Sequence, residues 1–335
     1  MDSKSASFVW EDMPEKQTLL EIVDLQVHYP VRTGTVRGVD HVDLIVYEGE
    51  TLGLVGESAC GKSTLGRAIL RLVSEPGEIV GGQILFRGED LLAKDEKEMT
   101  QVRGKNISMI FQDPMTSLNP LQRIDHHFIE TIRTHEAGIS KAGARERVAE
   151  MFDHLGIQRD RLMDYPHQFS GGMRQRVMIG LALILNSDLV LADEPTTSLD
   201  VIVEAQILDL IKELKQAYHM TLILISHNLG IVAELADRLA VMYAGKLVEV
   251  APALALFDEP LHPYTQGLLA SVPNIRLEDD KLRTMPGAPP DLIHQPAGCR
   301  FHPRCVHAME RCHRQEPPYR QVYGERWTAC WLYGE

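Results

Sequence analysis

Cysteine is scarce over most of this 335-residue chain: of five cysteines, only Cys60 stands before residue 298. That excludes a small scaffold stapled by disulfides. Long apolar runs are missing too. The most apolar stretch, 177–192, is interrupted by Asn186, Ser187 and Asp188, and a spanning helix needs about 20 mostly apolar residues. The first residues, MDSKSASFVWEDMPEKQ, contain no apolar leader core, so a cytoplasmic chain is expected. There is no surplus of positive charge. Lys and Arg number 34 against 47 Asp and Glu, a net −13, which argues against a non-specific nucleic-acid binder and leaves room for a local basic pocket. Neither repeats nor low-complexity tracts occur. Hydrophobic residues make up 44% and charged residues 24%, as in globular proteins. At about 150 residues per domain, the length predicts two domains, or one with an appendage.

What is present reads as alternating strands and helices. After a polar tail over 1–18 come β-rich runs: LEIVDLQVHY, VDLIVYEGE, TLGLVG and, near 83–87, GGQILFRGEDL. ISMIFQ (107–112) is apolar throughout, as a buried strand is. A helical stretch lies within about 113–175, with HHFIETIRTHE and ARERVAEMFDHLG at a 3.6-residue period. MRQRVMIGLALILN then leads to LVLAD, VEAQILDLIKELKQAYH to TLILIS, and a short helix to LAVMYAG. That order predicts a mostly parallel sheet covered on both faces, over 19–260. Beyond Leu261 proline is dense and the pattern dissolves, so 261–335 is expected to be an irregular, cysteine-rich extension.

Gly56-Glu57-Ser58-Ala59-Cys60-Gly61-Lys62-Ser63-Thr64 fits G-x-x-x-x-G-K-[ST] and lies between a strand and a helix, the context the motif requires. The glycines let backbone N–H groups converge on phosphate oxygens, and the helix turns its positive end there. Lys62 is expected on the β- and γ-phosphates and Ser63 on Mg²⁺. Cys60 reads as a small filler without chemistry of its own, although a helix start and Lys62 beside it could lower its pKa and open it to alkylation.

Ligands of open α/β sheets bind beyond the carboxyl ends of the strands. ISMIF ends in Gln112, LVLA in Asp193-Glu194 and TLILIS in His227. Asp193 closes an apolar strand, where a carboxylate needs a cation; Mg²⁺ held with Ser63 and Gln112 would supply it. Glu194 is placed to deprotonate the attacking water, with Gln112 and His227 sensing the γ-phosphate. Ser170-Gly171-Gly172 opens another helix, a second anion-seeking N-terminus for a nucleotide held by another subunit.

These elements together resemble the ATP-binding cassette (ABC) transport ATPases over roughly 19–257. The resemblance implies a P-loop NTPase fold with an antiparallel β subdomain and an inserted helical subdomain. It puts Lys62 and Ser63 in the Walker A loop, Gln112 in the Q-loop, Ser170 and Gly172 in the signature, and Asp193 and Glu194 in Walker B. Asp200 falls in the D-loop, His227 is the switch histidine, and Tyr29 is the aromatic that stacks on adenine. Phe169, Met173 and Asn228 stand where Leu, Gln and Asp are usual. Asp125-His126-His127 replaces a usual Gly-Glu-Gln, and an altered contact with a membrane partner is expected there. A metal at His126 and His127 is disfavoured, since adjacent residues do not share a helix face.

Cys299, Cys305, Cys312 and Cys330 can supply four thiolates to zinc or to an iron–sulfur cluster, and the chemistry alone divides the two evenly. HPYTQGLLASVP, PGAPPDL and CRFHPRC resemble the C-terminal extension of oligopeptide/dipeptide importer ATP-binding subunits. GEIVGGQILFRGEDL, FQDPMTSLNP and PHQFSGGMRQRV resemble the same subfamily, some of whose members carry a 4Fe–4S cluster. The resemblance therefore favours the cluster, with zinc as the alternative. It implies an ATP- and Mg²⁺-dependent ATPase on the cytoplasmic face of the membrane that energises import of di- or oligopeptides. Its partners would be a second ATPase subunit, two permease subunits and, indirectly, a substrate-binding protein. Oligosaccharide, nickel or glutathione import, or a non-transport ABC ATPase, is the alternative.

Overall fold

The computed structural model describes residues 16–113, 117–197, 199–271 and 285–334. The polar tail up to residue 15 lies outside them. Two sheets organise the chain. The larger has eight strands in the order β11-β12-β10-β9-β3-β8-β7-β6. Its centre, β9 (Arg238–Tyr243), β3 (Thr51–Val55), β8 (Thr221–Ile225), β7 (Leu189–Asp193) and β6 (Ile107–Ile110), is parallel throughout. Every residue of these strands is buried, which explains their largely apolar sequences.

Alternation along the strands divides the core in two. Leu189 and Leu191 of β7 face one cluster with Leu52, Leu54, Ile107 and Ile223. Val190 and Ala192 face the other with Leu222, Leu224 and the large helices. The first face is covered by α1 (Lys62–Ile69) and by the smaller sheet, β2-β1-β4-β5. Its strands are β1 (Thr18–Val31), β2 (Gly34–Tyr47), β4 (Glu78–Phe86) and β5 (Glu89–Asp90), paired antiparallel. After α2 (Glu96–Val102), the second face is packed by α3 (Ile124–His135), α4 (Lys141–His154), α5 (Gly171–Leu183) and α6 (Val201–Tyr218). Two shorter helices follow, α7 (Leu229–Leu235) and α8 (Ala253–Asp258).

Two expectations need correction. The second strand begins at Gly34, eight residues before the apolar run at Val42, so β1 and β2 form a long hairpin. Tyr29 therefore sits inside β1, paired with Val36. The chain beyond residue 261 is not irregular throughout. It forms α9 (Pro263–Ala270) and two strands, β11 (Arg320–Tyr323) and β12 (Arg326–Thr328). These join the main sheet where β12 pairs antiparallel with β10 (Lys246–Pro252). Its cysteines ride on the loops and short 3₁₀ turns of the extension.

Candidate functional site

β3 delivers the chain at Val55 into the loop 56–63, and α1 begins at Lys62. Glycine is obligatory at two points. Gly56 (φ 151°) would put a Cβ 2.2 Å from the Met242 carbonyl oxygen, and Gly61 (φ 110°) one 2.1 Å from that of Gly38. The Lys62 ammonium donates to the Gly56 carbonyl at 2.8 Å and the Glu57 carbonyl at 2.9 Å. Burial pushes the Cys60 thiol pKa up, against the pull of Lys62. That removes the case for a reactive thiol: desolvation outweighs the helix end and the lysine.

The ends of the neighbouring strands bring the other side chains to this loop. Ser63 Oγ donates to Asp193 Oδ1 at 2.8 Å. Asp193 is buried and its carboxyl pKa is raised, by desolvation first, with the Ser63 bond opposing. Glu194 follows with φ 47°, a left-handed backbone rare outside glycine, and its N–H is held by the Ile225 carbonyl at 2.9 Å. Three groups then fix its carboxylate. Gln112 Nε2 donates to Oε2 at 3.1 Å and Thr197 Oγ1 to the same oxygen at 2.9 Å, while His227 Nδ1 lies 3.1 Å from Oε1. Tyr29, Lys62, Ser63, Gln112, Glu194 and His227 share one cavity of about 480 Å³, with Ser58, Ala59, Gly61 and Thr64 also on its wall. Tyr29 reaches Thr64, hydroxyl to hydroxyl, at 3.4 Å.

Ser170, Gly171, Gly172 and Asp200 do not line this cavity. Ser170 caps α5, its Oγ accepting from Met173 N at 3.3 Å, and is exposed. Asp200 caps α6 through Ile202 N and Val203 N. Gly172 packs so tightly on Val203 that a Cβ would lie 2.6 Å from it, which ties the two helix starts together. Asp125 is fully buried and bound by Arg145 at 2.8 Å, so it offers a partner no surface. His127 lies 3.3 Å from the Asn119 carbonyl, and burial lowers its pKa.

The extension contributes groups that motif reading missed. Leu292 forms part of the cavity wall. Tyr264 accepts a hydrogen bond from Glu57 N at 2.8 Å, and Arg304 forks onto the Glu57 carboxylate at 2.7 and 2.9 Å. Thr197 was also missed. Only the glutamate three residues before it hinted at a role.

The four tail cysteines are free thiols. They lie close enough for Cys299 to feel the charges of Cys312, Cys330 and Cys305, and Cys330 those of Cys305 and Cys312. Burial pushes Cys299 up to about 12 and Cys330 to about 11. Among the described residues, no three His, Cys, Asp or Glu side chains converge to hold a metal ion. The expected iron–sulfur cluster, and zinc as its alternative, thus find no assembled ligand set among the described residues. No helix among the described residues is long and apolar enough to cross a membrane.

A glycine-bounded loop on a parallel sheet, with carboxylates, a glutamine and a histidine at adjacent strand ends, defines a P-loop nucleotide hydrolase of the ATP-binding cassette type. Comparison with known proteins narrows the class. Residues 39–197 match the family described as ABC transporter, and 248–312 the one described as oligopeptide/dipeptide transporter, C-terminal region. The chain is 46% identical over 318 residues to the oligopeptide transport ATP-binding protein OppD of Bacillus subtilis, covering 94% of this chain and 88% of that protein. It is 44% identical over 319 residues to the dipeptide transport ATP-binding protein DppD of the same organism, covering 94% and 95%. Among solved structures, the ATP-binding cassette MJ0796, dimeric and bound to ADP and Pi after hydrolysis, superposes with a TM-score of 0.64 at 24% identity, covering 70% of this chain and 99% of that one. CbiO1 of Clostridium perfringens gives 0.62 at 23%, covering 73% and 92%. These two likenesses carry the fold alone. The chain belongs to the ABC transporter family, among its oligopeptide/dipeptide transport ATP-binding proteins, and is an ATPase.

Proposed function

We propose that this chain hydrolyses ATP to energise a membrane importer of di- and oligopeptides. The observation that carries the reading is the convergence of Ser58, Ala59, Gly61, Lys62 and Ser63 of the loop with Gln112, Glu194 and His227 in one cavity. ATP lies with its phosphates on the backbone of 56–63 and Lys62, and with adenine against Tyr29. Ser63, Asp193 and Gln112 would hold Mg²⁺. The fit rests on Asp193, a buried carboxyl that accepts from Ser63 Oγ at 2.8 Å and for which a hard cation there is the natural counter-charge. Bound there, Mg²⁺ offsets charge building on the β- and γ-phosphates. Glu194 takes the proton of the attacking water, His227 and Gln112 hold Glu194 and the γ-phosphate in register, and Thr197 keeps the carboxylate from swinging away.

Ser170, Gly171, Gly172 and Asp200 act on the nucleotide of a second ATPase subunit. The exposure of Ser170 and Asp200 away from this cavity supports that, as do Val201 and Ile202, 79% and 73% exposed beside Asp200. Two permease subunits dock on the helical region. In its support, Leu121 is 87% exposed and a groove of about 530 Å³ runs past Gln122, His126, Ile129 and Arg133. Such docking would hold the chain on the cytoplasmic membrane face, with the binding protein reached through the permeases. A 4Fe–4S cluster, with zinc as the alternative, is proposed for the tail. The neighbourhood of four free thiols favours the cluster, since it spreads its thiolates wider than a single ion does. Iron and acid-labile sulfide measured on protein purified without air would test it. Wild-type chain that binds ATP but never dimerises, alone or with a second cassette subunit, would refute the shared site.

A further inference from the structure

The second residue of the phosphate loop is a carboxylate. A negative charge at Glu57 opposes triphosphate binding unless something cancels it. The cancelling charge comes from 247 residues away. Arg304 forks onto Glu57 at 2.7 and 2.9 Å, donates Nε to the Pro286 carbonyl at 2.9 Å, and lies with its side chain 4% exposed. Tyr243 and Phe301 cover the guanidinium, 5.8 and 6.0 Å from their ring centres. The same peptide is held twice more. Its N–H is taken by the fully buried Tyr264 hydroxyl, and its carbonyl accepts the Lys62 ammonium at 2.9 Å.

We propose that Arg304 of the C-terminal extension is a positioning residue for ATP: it neutralises Glu57 and fixes the Glu57 peptide, so that the loop meets the phosphates as a net cationic cradle. The extension is thereby a wall of the nucleotide site, and displacement of Arg304 weakens nucleotide binding. This rests on residues 56–63 being the phosphate cradle.

The test is equilibrium binding of the fluorescent nucleotide mant-ATP to the full-length chain, with thermal melting alongside. Arg304→Gln raises Kd on the order of tenfold, the cost of an uncancelled charge near the phosphates. Adding Glu57→Gln to it returns Kd to within roughly threefold of wild type, because the repelling charge is gone. A role confined to holding the tail in place predicts no such rescue. If Arg304→Gln does not fold, Glu57→Gln alone decides: the freed Arg304 charge tightens binding about threefold, and unchanged or weaker binding overturns the proposal. Wild-type affinity in Arg304→Gln, or failure of the second substitution to restore binding, overturns it as well. Lys62→Ala separates the two levels. If it too binds mant-ATP normally, the cradle reading itself falls, whereas its loss of binding with Arg304→Gln unaffected sinks the role of Arg304 alone.

Discussion

The carboxyl edge of the parallel strands and the extension docked behind it both gather charge, and they treat it in opposite ways. At the strand ends Glu194 and His227 stay within reach of solvent, while Lys62 and Asp193 are buried. The side chains of His227 and Glu194 are 57% and 16% exposed, and the Glu194 carboxylate is held by hydrogen bonds near 3 Å to Gln112, Thr197 and His227. In the extension the arginines are buried, each against a carboxylate: Arg300 against Asp40, Arg304 against Glu57 and Arg326 against Glu259. The Glu194–His227 pair stays reachable from solvent; the arginines that join the extension to the rest of the chain are desolvated and ion-paired. A buried pair contributes little net stability while intact, and breaking it leaves an uncompensated charge.

The contrast can be broken most sharply at the strand ends. Lys62→Ala should remove detectable ATP binding, a loss on the order of a hundredfold or more, and leave the melting temperature near wild type. A large fall in melting temperature would mean that the ammonium is structural. Next comes the extension. Arg326 donates to the Glu259 carboxylate at 3.2 Å and lies 3.9 Å from the fully buried Glu249. Glu249 in turn accepts Leu261 N and His262 N, each at 2.8 Å. Arg326→Met should cost about 3 kcal/mol in urea unfolding. A midpoint within error of wild type would show that these pairs do not hold the extension.

His262 sharpens the comparison through pH. It is fully buried, its Nδ1 accepts from Tyr264 N at 3.0 Å, and desolvation lowers its pKa to about 3. The unfolded imidazole gains its proton near 6.5, and the folded one does so only near 3. Its contribution to stability is therefore complete above pH 6.5 and drains as pH falls towards 3, at up to about 1.4 kcal/mol per pH unit. Urea unfolding between pH 7 and 5 should show wild type losing stability faster than His262→Asn; parallel pH profiles would contradict this. The smallest effect belongs to Cys60. Buried, with its thiol pKa raised, it should resist maleimide in the native chain and react after denaturation. Rapid native labelling would overturn that account.

Much of the candidate site is legible in the sequence because most of its members announce themselves locally. Gly56, Gly61 and Lys62 stand at fixed spacing, and Gln112, Asp193 and His227 each end an apolar run. The extension was not legible, for a physical reason. Hydrophobic periodicity finds elements that dock through apolar faces, and this one docks through Arg300, Arg304, Arg326, Glu249 and His262, residue types that read as surface. β12, with Arg326, Trp327 and Thr328, has the same defect. The early start of the second strand was hidden because it opens with the weak run 34–37. The left-handed backbone at Glu194 has no sequence signature, since it is imposed by the turn after β7.

The central claim is that Glu194, held by Gln112, Thr197 and His227, is the base for ATP hydrolysis. A single-turnover experiment with radiolabelled ATP on Glu194→Gln tests it most directly. The account predicts undiminished ATP binding, no release of phosphate on the wild-type timescale, and ATP recovered intact from the protein. Hydrolysis at a near-normal rate would contradict it and move the base elsewhere in the site.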